Sequence, residues 1–162
     1  MELVGVRVEV PANTPVVLLR EQGGRQRLLP ILIGSPEASA IHSALEGLQP
    51  PRPLTHDLLV TVIGRLQATL EQIVITEVRD HVYYAELHLT VSGGGAGTVV
   101  VSCRPSDAIA TAVRTKSPIF ASEQLLDEAG QLPPEEPADD AEAIIDEFRD
   151  FLDDLSPEDF DR

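Results

Sequence analysis

The stretch Ile33-Gly34-Ser35-Pro36-Glu37-Ala38-Ser39-Ala40 decides the fold, because a stretch with the same plan follows it 70 positions later, Cys103-Arg104-Pro105-Ser106-Asp107-Ala108-Ile109-Ala110. In each, an apolar run ends at a small or polar turn, and an acidic residue then opens a helix that continues through alanines. The preceding apolar residues match at the same offset, Leu29–Leu32 with Val99–Ser102. A repeat at a fixed offset predicts a duplicated supersecondary unit. It also places two acid-bearing helix starts at equivalent positions, where a site is to be sought.

Composition limits the class of protein. A chain of 162 residues that is 43% hydrophobic can bury the core of one compact domain, and with four Phe, two Tyr and no Trp that core is aliphatic. The apolar runs fall short of the about 18 residues of a membrane span, and the N-terminus lacks the pattern of a signal peptide. The single cysteine, Cys103, fits a reducing compartment. We therefore expect a cytoplasmic protein that does not enter a membrane.

The net charge of −15 is unevenly distributed along the chain. Residues 121–162 contain 16 acidic and 2 basic residues, a balance of −14. Residues 1–120 contain 11 acidic and 10 basic residues, a balance of −1. A nearly neutral body can still hold a local arginine cluster, whereas an acidic tail repels phosphate. This distribution counts against tight, non-specific binding of nucleic acid.

Hydrophobic periodicity predicts three strands, two helices, three more strands and a third helix. Valines at positions 4, 6, 8 and 10 alternate with other residues and mark a half-buried first strand. Ser35 is the expected N-cap of a helix over 36–46, and Thr55 is that of a second helix, whose expected apolar stripe comprises Leu58, Leu59, Val62, Ile63 and Leu66. Further strands are predicted over 16–19, 27–33, 72–79, 82–91 and 98–103, and a third helix over 105–116.

The sequence predicts that the C-terminal part of the chain is a segment separate from the main domain. After a domain over 1–130, a Pro-rich linker covers 131–137, and an acidic amphipathic helix and tail cover 138–162. One face of this helix carries the apolar residues Ile144, Ile145, Phe148, Phe151, Leu152 and Leu155. Such a stripe gains free energy on burial. We expect a homodimer with this helix at or near the interface.

The first candidate site is Arg52-Pro53-Leu54-Thr55-His56-Asp57. Histidine transfers protons near neutral pH, aspartate binds Mg²⁺ or orients the imidazole, and arginine holds phosphate. The alternative interpretation is a capped helix start, with Thr55 as the cap and Asp57 favoured by the helix dipole.

The second candidate site is Arg104-Pro105-Ser106-Asp107, together with Glu37, which is the repeat equivalent of Asp107. Each acid again has the alternative interpretation of a helix-capping residue. Tyr83 and Tyr84 offer a stacking surface, although a cross-strand pair is the commoner use of such neighbours.

Several of these strings together resemble one family, the bifunctional nuclease domain family, over roughly residues 1–130. The strings that carry the resemblance are Leu29–Gly34, Glu37-Ala38, Arg52–Leu58, Tyr83–Ala85 and Arg104–Ala110. Phe148–Leu152 and Ser156–Phe160 are also similar to the tail of many bacterial members.

The resemblance implies an α+β fold in which duplicated βββα units form a barrel-like mixed sheet with flanking helices. It also implies nuclease activity on DNA, RNA or both. The roles of individual residues rest on their chemistry combined with the family strings.

The leading hypothesis is a nuclease that is assisted by a divalent metal ion, Mg²⁺ or Mn²⁺. Glu37, Asp57 and Asp107 are its expected metal ligands, and His56, Asp57 and Asp107 its expected catalytic residues. Arg52, Arg104 and Ser106 are expected to contact the nucleic acid substrate. Of these residues, Glu37, His56, Asp57, Arg104 and Asp107 should lie near one another.

The alternative hypothesis is a non-enzymatic regulatory or binding module. In it, the helix N-termini bind a small anion or a protein partner without catalysis. The acidic tail and the nearly neutral body favour this alternative.

Overall fold

The computed structural model describes residues 1–9, 13–48, 50–92 and 97–133. The chain divides into two compact units, Met1–Leu132 and Pro133–Arg162. The predicted C-terminal helix and tail over 138–162, and most of the linker predicted over 131–137, lie outside the described residues.

The first half of the chain forms a three-stranded antiparallel meander followed by a helix. Strands β1 (Glu2–Glu9), β2 (Thr14–Arg20) and β3 (Leu28–Leu32) pair in the order β1-β2-β3. Helix α1 (Ser35–Leu45) follows directly. Helix α2 (Thr55–Arg65) then leads to the second half.

The second half repeats this order. Strands β4 (Ala68–Arg79), β5 (Val82–Val91) and β6 (Gly97–Cys103) form an antiparallel meander, and helix α3 (Pro105–Thr115) follows. Strand β7 (Ile119–Ala121) joins the free edge of β4 in parallel, giving the order β6-β5-β4-β7, and helix α4 (Glu123–Ala129) comes after it.

The observed elements agree with the 70-residue offset, because α3 begins and ends 70 residues after α1. Each of these helices follows its third strand. The duplication itself stays a prediction, which superposition of the two halves tests. The α+β class is confirmed, but the described strands form two open sheets rather than one barrel-like sheet. Closure requires the edge strands to pair with each other, and the chain turns into α1 and α2 after β3 instead of pairing it with β4.

The two sheets and α3 share one aliphatic core. The first sheet contributes Val17, Leu19, Leu29 and Ile31, and the second contributes residues such as Ile73, Ile75 and Leu87. Helix α3 is buried along most of its length, with Ala108, Ile109, Ala110, Thr111 and Ala112 at 1% exposure or less. Its small side chains let the helix backbone come close to its neighbours, which fixes the first turn of α3 firmly in the fold.

The first strand departs from the predicted alternation. The register of the β1–β2 pair shifts between Leu3 and Gly5, and Gly5 has a φ of 148°. This irregularity brings Leu3 and Val6 against the core and leaves Val4 and Val8 exposed. Periodicity alone does not reveal such a bulge.

Helix α2 is confirmed as a helix, but its predicted apolar stripe is mostly exposed. Of the five predicted residues only Ile63 is buried, while Leu58 and Leu66 are 56% and 68% exposed. Both predicted caps also lie one residue too late, since Gly34 and Leu54 occupy the N-cap positions in place of Ser35 and Thr55. In the described part of the chain, no helix is both long enough and apolar enough to cross a bilayer.

Candidate functional site

Three helices begin with the same arrangement, an acidic residue three positions after the N-cap. Glu37 follows Gly34 in α1, Asp57 follows Leu54 in α2, and Asp107 follows Arg104 in α3. The first turn of a helix has unpaired N–H groups and the positive end of the dipole, so it favours a carboxylate. In α2 the Asp57 side chain accepts a hydrogen bond from the Leu54 N–H at 2.8 Å.

Arg104 joins the first turns of α1 and α3. Its Nε and Nη2 donate to the two carboxylate oxygens of Asp107 at 2.8 and 3.1 Å, and its Nη1 donates to Glu37 Oε1 at 2.8 Å. The Arg104 side chain is 65% exposed, whereas that of Glu37 is 19% exposed. The cluster therefore presents a guanidinium to solvent in front of two carboxylates.

Glu37 reaches Arg104 by folding back over Gly34. Its carboxylate occupies the space that a Cβ atom at position 34 would need. The absence of a side chain at position 34 leaves room for this carboxylate, and the backbone conformation of Gly34 is an ordinary extended one.

His56, in the first turn of α2, completes the cluster. Its Nε2 lies 3.2 Å from Asp107 Oδ1, and its side chain is 13% exposed. In the tautomer that donates from Nε2, the Nδ1 atom is left to accept a proton. Glu37, His56, Arg104 and Asp107 are called the Arg104 cluster below.

The ion pairs keep the charges of the cluster in place. Burial acts to raise the pKa of Asp107, but hydrogen bonds from Arg104 and His56 outweigh it and the pKa is lowered. The carboxylates of Asp107 and Glu37 in turn raise the pKa of Arg104. Asp107 is thus an anion and Arg104 a cation throughout the physiological range.

Two clefts meet at the Arg104 cluster. The first, of about 370 Å³, is the apolar cleft, with Leu32, Val82, Tyr83, Pro105 and Ser106 among its lining residues. The second, of about 380 Å³, is the histidine cleft, with Ser39, Leu54, Thr55, His56 and Asp107 among its lining residues. Glu37 and Arg104 line both clefts, so their ion pair is a shared wall.

The other predicted site residues lie in different places. Ser106 is buried, at 6% exposure, and lines the apolar cleft. Arg52 is exposed, forms no ion pair with any residue that the structure describes, and lines neither cleft. Asp57 also lines neither cleft, and its carboxylate turns to a different arginine.

That arginine is Arg114, which the sequence analysis missed. Its Nε donates to Asp57 Oδ1 at 2.5 Å, and its Nη1 donates to the carbonyls of Ala40 and Ala110 at 3.0 and 2.9 Å. The Arg114 side chain is 10% exposed. Its hydrogen bond, with that of the Leu54 N–H, lowers the pKa of Asp57. The spacing of seven residues between Asp107 and Arg114, two helical turns, places both on one face of α3, but it does not indicate the contact with Asp57.

The expected metal ligands do not come together as one set. In residues 1–9, 13–48, 50–92 and 97–133, no three His, Cys, Asp or Glu side chains are placed to hold a metal ion. Asp57 is bound to Arg114, and Arg104 donates to Glu37 and Asp107. In this structure each of these carboxylates is paired with a guanidinium group.

Comparison with known proteins identifies relatives of this chain. An uncharacterised protein of Mycobacterium tuberculosis is 42% identical, covering 99% of this chain and 96% of that protein. Bifunctional nuclease 2 of Oryza sativa subsp. japonica is 30% identical over 71% of this chain, and bifunctional nuclease 1 of Arabidopsis thaliana is 28% identical over 70%. The chain matches 35% of the length of each of these two plant proteins. The family described as bifunctional nuclease domain matches residues 17–133, and the chain belongs to that family.

Proposed function

We propose that this member of the bifunctional nuclease domain family cleaves phosphodiester bonds in nucleic acid at the Arg104 cluster. The observation that carries the proposal is the contact between His56 and Asp107 beside the exposed guanidinium of Arg104. The cluster supplies a proton acceptor, a carboxylate to orient it and a cation for phosphate. The names of the plant relatives support the same reaction class.

Phosphate binds first, at Arg104. A guanidinium recognises two phosphate oxygens with the same paired geometry that it uses here for Asp107. The phosphate displaces Glu37 from Arg104, which costs little because an exposed ion pair contributes only about 0–1 kcal/mol. The N–H groups in the first turns of α1 and α3 add further donors.

Proton transfer falls to His56. Its imidazole accepts a proton from the water or hydroxyl that attacks phosphorus, while Asp107 orients the ring and stabilises the imidazolium. As the new P–O bond forms, the P–O bond to the leaving nucleotide breaks, and the imidazolium returns its proton to the departing oxygen. Arg104 neutralises the charge that develops on the phosphoryl oxygens. Ser106 contacts the substrate within the apolar cleft, and Arg52 holds a backbone phosphate outside it. Asp57 acts indirectly, by fixing the start of α2 and so the position of His56.

The metal dependence expected from the sequence stays a prediction. The described residues contain no three His, Cys, Asp or Glu side chains placed to hold a metal ion. The proposed reaction therefore depends only on side chains of this protein. Activity that persists in EDTA agrees with this mechanism. Activity that requires added Mg²⁺ or Mn²⁺ would return Glu37 and Asp107 to the role of ligands.

One observation favours a second candidate function, a non-enzymatic anion-binding module. The carboxylates in the first turns of α1, α2 and α3 are already paired with arginines. These pairs neutralise the charges within the protein, and a catalytic role is not needed to account for them. Such a module would bind phosphate at Arg104 without turnover.

A nuclease assay on highly purified protein tests the proposal. We would compare wild type with Arg104→Gln on labelled DNA and RNA, with and without EDTA. Arg79→Gln is a matched control, because Arg79 is also 65% exposed and also holds a carboxylate, that of Glu77. Loss of cleavage in Arg104→Gln alone supports the proposal. Phosphate binding without cleavage by wild type would favour the second candidate.

The cytoplasmic homodimer expected from the sequence also stays a proposal. The C-terminal helix expected at the interface lies outside the described residues, but these residues offer another surface suited to pairing two copies, the free edge of β6. Val99, Val100 and Val101 are 41–50% exposed there, and Gly97–Cys103 contains no charged residue. An apolar edge strand pairs readily with a second copy.

A further inference from the structure

We propose that the apolar cleft binds one unpaired nucleobase of the substrate, stacked beside Tyr83, while the adjoining phosphate lies on Arg104. The inference rests on the proposed function and deepens it, because it assigns the substrate to single-stranded nucleic acid. It follows from the lining of the cleft and from its junction with the Arg104 cluster.

Two exposed aliphatic side chains and an aromatic ring are among the residues that line the apolar cleft. Leu32 is 65% exposed and Val82 is 54% exposed, and both line this cleft together with the half-buried Tyr83. A single exposed leucine needs no explanation, but two exposed aliphatic side chains beside an aromatic ring form a surface suited to a flat, apolar ligand. The volume of about 370 Å³ is within the range of small-molecule sites.

Tyr83 is held firmly in position. It stands near the start of β5, opposite Val78 of β4, and it packs partly against the core. The turn before it contains Asp80 and His81, both with positive φ, and His81 also lines the cleft. A ring fixed by a hairpin provides a stacking platform without a large loss of conformational entropy on binding.

Other residues that line the cleft are polar, as a nucleotide requires. Ser106 contributes a buried hydroxyl group, and the ion pair of Glu37 and Arg104 forms the wall. A nucleobase has apolar faces, an edge of donors and acceptors, and an anionic phosphate at one end. The apolar side chains of the cleft match the faces of the base, the Ser106 hydroxyl matches its polar edge, and the Arg104 guanidinium matches the phosphate.

The shared wall sets the order of binding along the strand. Because Arg104 lines both clefts, a phosphate bound to it has a base on one side, in the apolar cleft, and His56 on the other. The chain of the substrate then passes across the ion pair from one cleft to the next.

This arrangement selects a single strand. A base in a duplex is stacked and paired, so it must be extruded before it can enter a cleft, and that extrusion costs free energy. An unpaired base avoids this cost and gains from stacking on an aromatic ring, an interaction that tolerates any base.

Ligand titration followed by amide NMR tests the inference independently of catalysis. The three probes are a nucleoside 5′-monophosphate, ribose 5-phosphate and inorganic phosphate. All three should shift the amide signals near Arg104 and Ser106. The nucleotide alone should also shift those of Leu32, Val82 and Tyr83, and it should bind roughly tenfold more tightly than ribose 5-phosphate because of base stacking.

Variants of the two adjacent tyrosines supply the matched comparison. Tyr83→Leu should weaken binding of the nucleotide roughly tenfold and leave that of inorganic phosphate unchanged, whereas Tyr83→Phe should keep wild-type affinity. Tyr84→Leu is the control, since Tyr84 lies under Arg79 and does not line the cleft. Melting temperatures identify any variant that fails to fold, and the comparison of the three probes on the wild-type protein keeps the test decisive in that case.

The outcomes separate this inference from the proposed function. Equal affinities for the nucleotide and ribose 5-phosphate, with no shift at Tyr83, would overturn the base site even in an active nuclease. Base-dependent binding in a protein that does not cleave nucleic acid would support the site and refute the nuclease. Equal cleavage of single strands and duplexes would count against the inference.

Discussion

Arg104 is the residue on which the proposed mechanism depends, because two carboxylates already bind the guanidinium that would receive phosphate. Asp107 contacts it through two oxygens and Glu37 through one. Charge-assisted bonds of this kind are specific in geometry, yet at an exposed site they contribute little net stability. Glu37 is therefore a competitor of phosphate at Arg104.

Replacing Glu37 by Gln should strengthen the binding of inorganic phosphate. A negative charge about 4 Å from another costs about 1 kcal/mol in water-like surroundings, so the affinity should rise roughly fivefold. Isothermal titration of wild type and Glu37→Gln with phosphate measures the change. A fall in affinity would indicate that Glu37 helps to hold the anion, for example through a bound metal ion.

Gly34→Ala provides a second route to the same result. The added Cβ would meet the far end of the Glu37 side chain, so it should displace that carboxylate without disturbing the backbone. Phosphate affinity should rise as in Glu37→Gln, while the melting temperature stays close to that of wild type. An unchanged affinity for phosphate would show that Glu37 does not compete for Arg104.

All four residues of the Arg104 cluster were predicted from the sequence, but the arginine partners of the acidic residues were not. Glu37, His56, Arg104 and Asp107 were predicted because acids and bases stood at helix starts, and the fold brings these starts together. Whether a carboxylate turns to a metal or to an arginine depends on neighbours from distant elements. Arg114 forms an ion pair with Asp57, which lies 57 positions earlier in the sequence, and no local sequence pattern indicates this contact.

Helix α3 organises the site at the scale of elements. Its N-terminal turn carries Arg104 and Asp107, and two turns further on Arg114 binds α1 through Ala40 and α2 through Asp57. The position of His56 therefore depends on the contact between Arg114 and the first turn of α2.

Asp57→Asn should destabilise the protein. The change leaves the guanidinium of Arg114, which is 10% exposed, without its counter-charge. The expected loss in free energy of unfolding is about 1–3 kcal/mol, the usual cost of an unsatisfied polar group. Urea denaturation measures it, with Glu77→Gln at an exposed ion pair as the control. A variant as stable as wild type would contradict this structural role of Asp57.

Helices and strands were predictable from the sequence where the hydrophobic periodicity agreed with the residues that begin and end such elements. Pro36 and Pro105 near the first positions of α1 and α3 indicated where those helices begin, and their ends match the 70-residue offset. The bulge at Gly5 and the exposed face of α2 were not predictable. A bulge shifts the pattern by one residue, and an amphipathic stripe does not show what covers it.

At the scale of the whole molecule, a buried arginine fastens the β2–β3 hairpin to α4. The Arg27 side chain, 6% exposed, forms ion pairs with Glu21, Glu123 and Asp127 at 2.8, 2.6 and 2.7 Å. The side-chain hydrogen bond from Arg27, followed by that from its backbone N–H, lowers the pKa of Glu21 from 4.5 to about 2. A carboxylate whose folded pKa is lowered stabilises the protein above its unfolded pKa.

The contribution of Glu21 should therefore be complete above about pH 5 and should disappear as the pH falls towards 2. Glu21→Gln should be less stable than wild type at pH 7, and the difference should shrink between pH 4.5 and 2. Urea denaturation across this range measures it, with Glu2→Gln as a control at a half-exposed ion pair. A difference that does not depend on pH would refute the assigned pKa.

The class of the whole fold followed from the sequence, but closure of the sheets did not. Alternating apolar patterns and the repeat predicted strands and helices in the observed order. Whether the strands close into a barrel depends on which edges meet, and strand pairing over long sequence separations has no local signal. For that reason the barrel-like expectation failed while the α+β class was confirmed.

The most direct test of the central claim compares two histidines. His56 pairs with Asp107 in the Arg104 cluster, and His88 pairs with Glu86 at 3.0 Å on β5, outside both clefts. We would measure the rate at which purified wild type, His56→Gln and His88→Gln cleave single-stranded RNA and DNA. The proposed mechanism predicts that His56→Gln loses about 100-fold or more, as expected for removal of a general base, and that His88→Gln keeps the wild-type rate. Equal rates for all three proteins, or no cleavage by wild type, would contradict it.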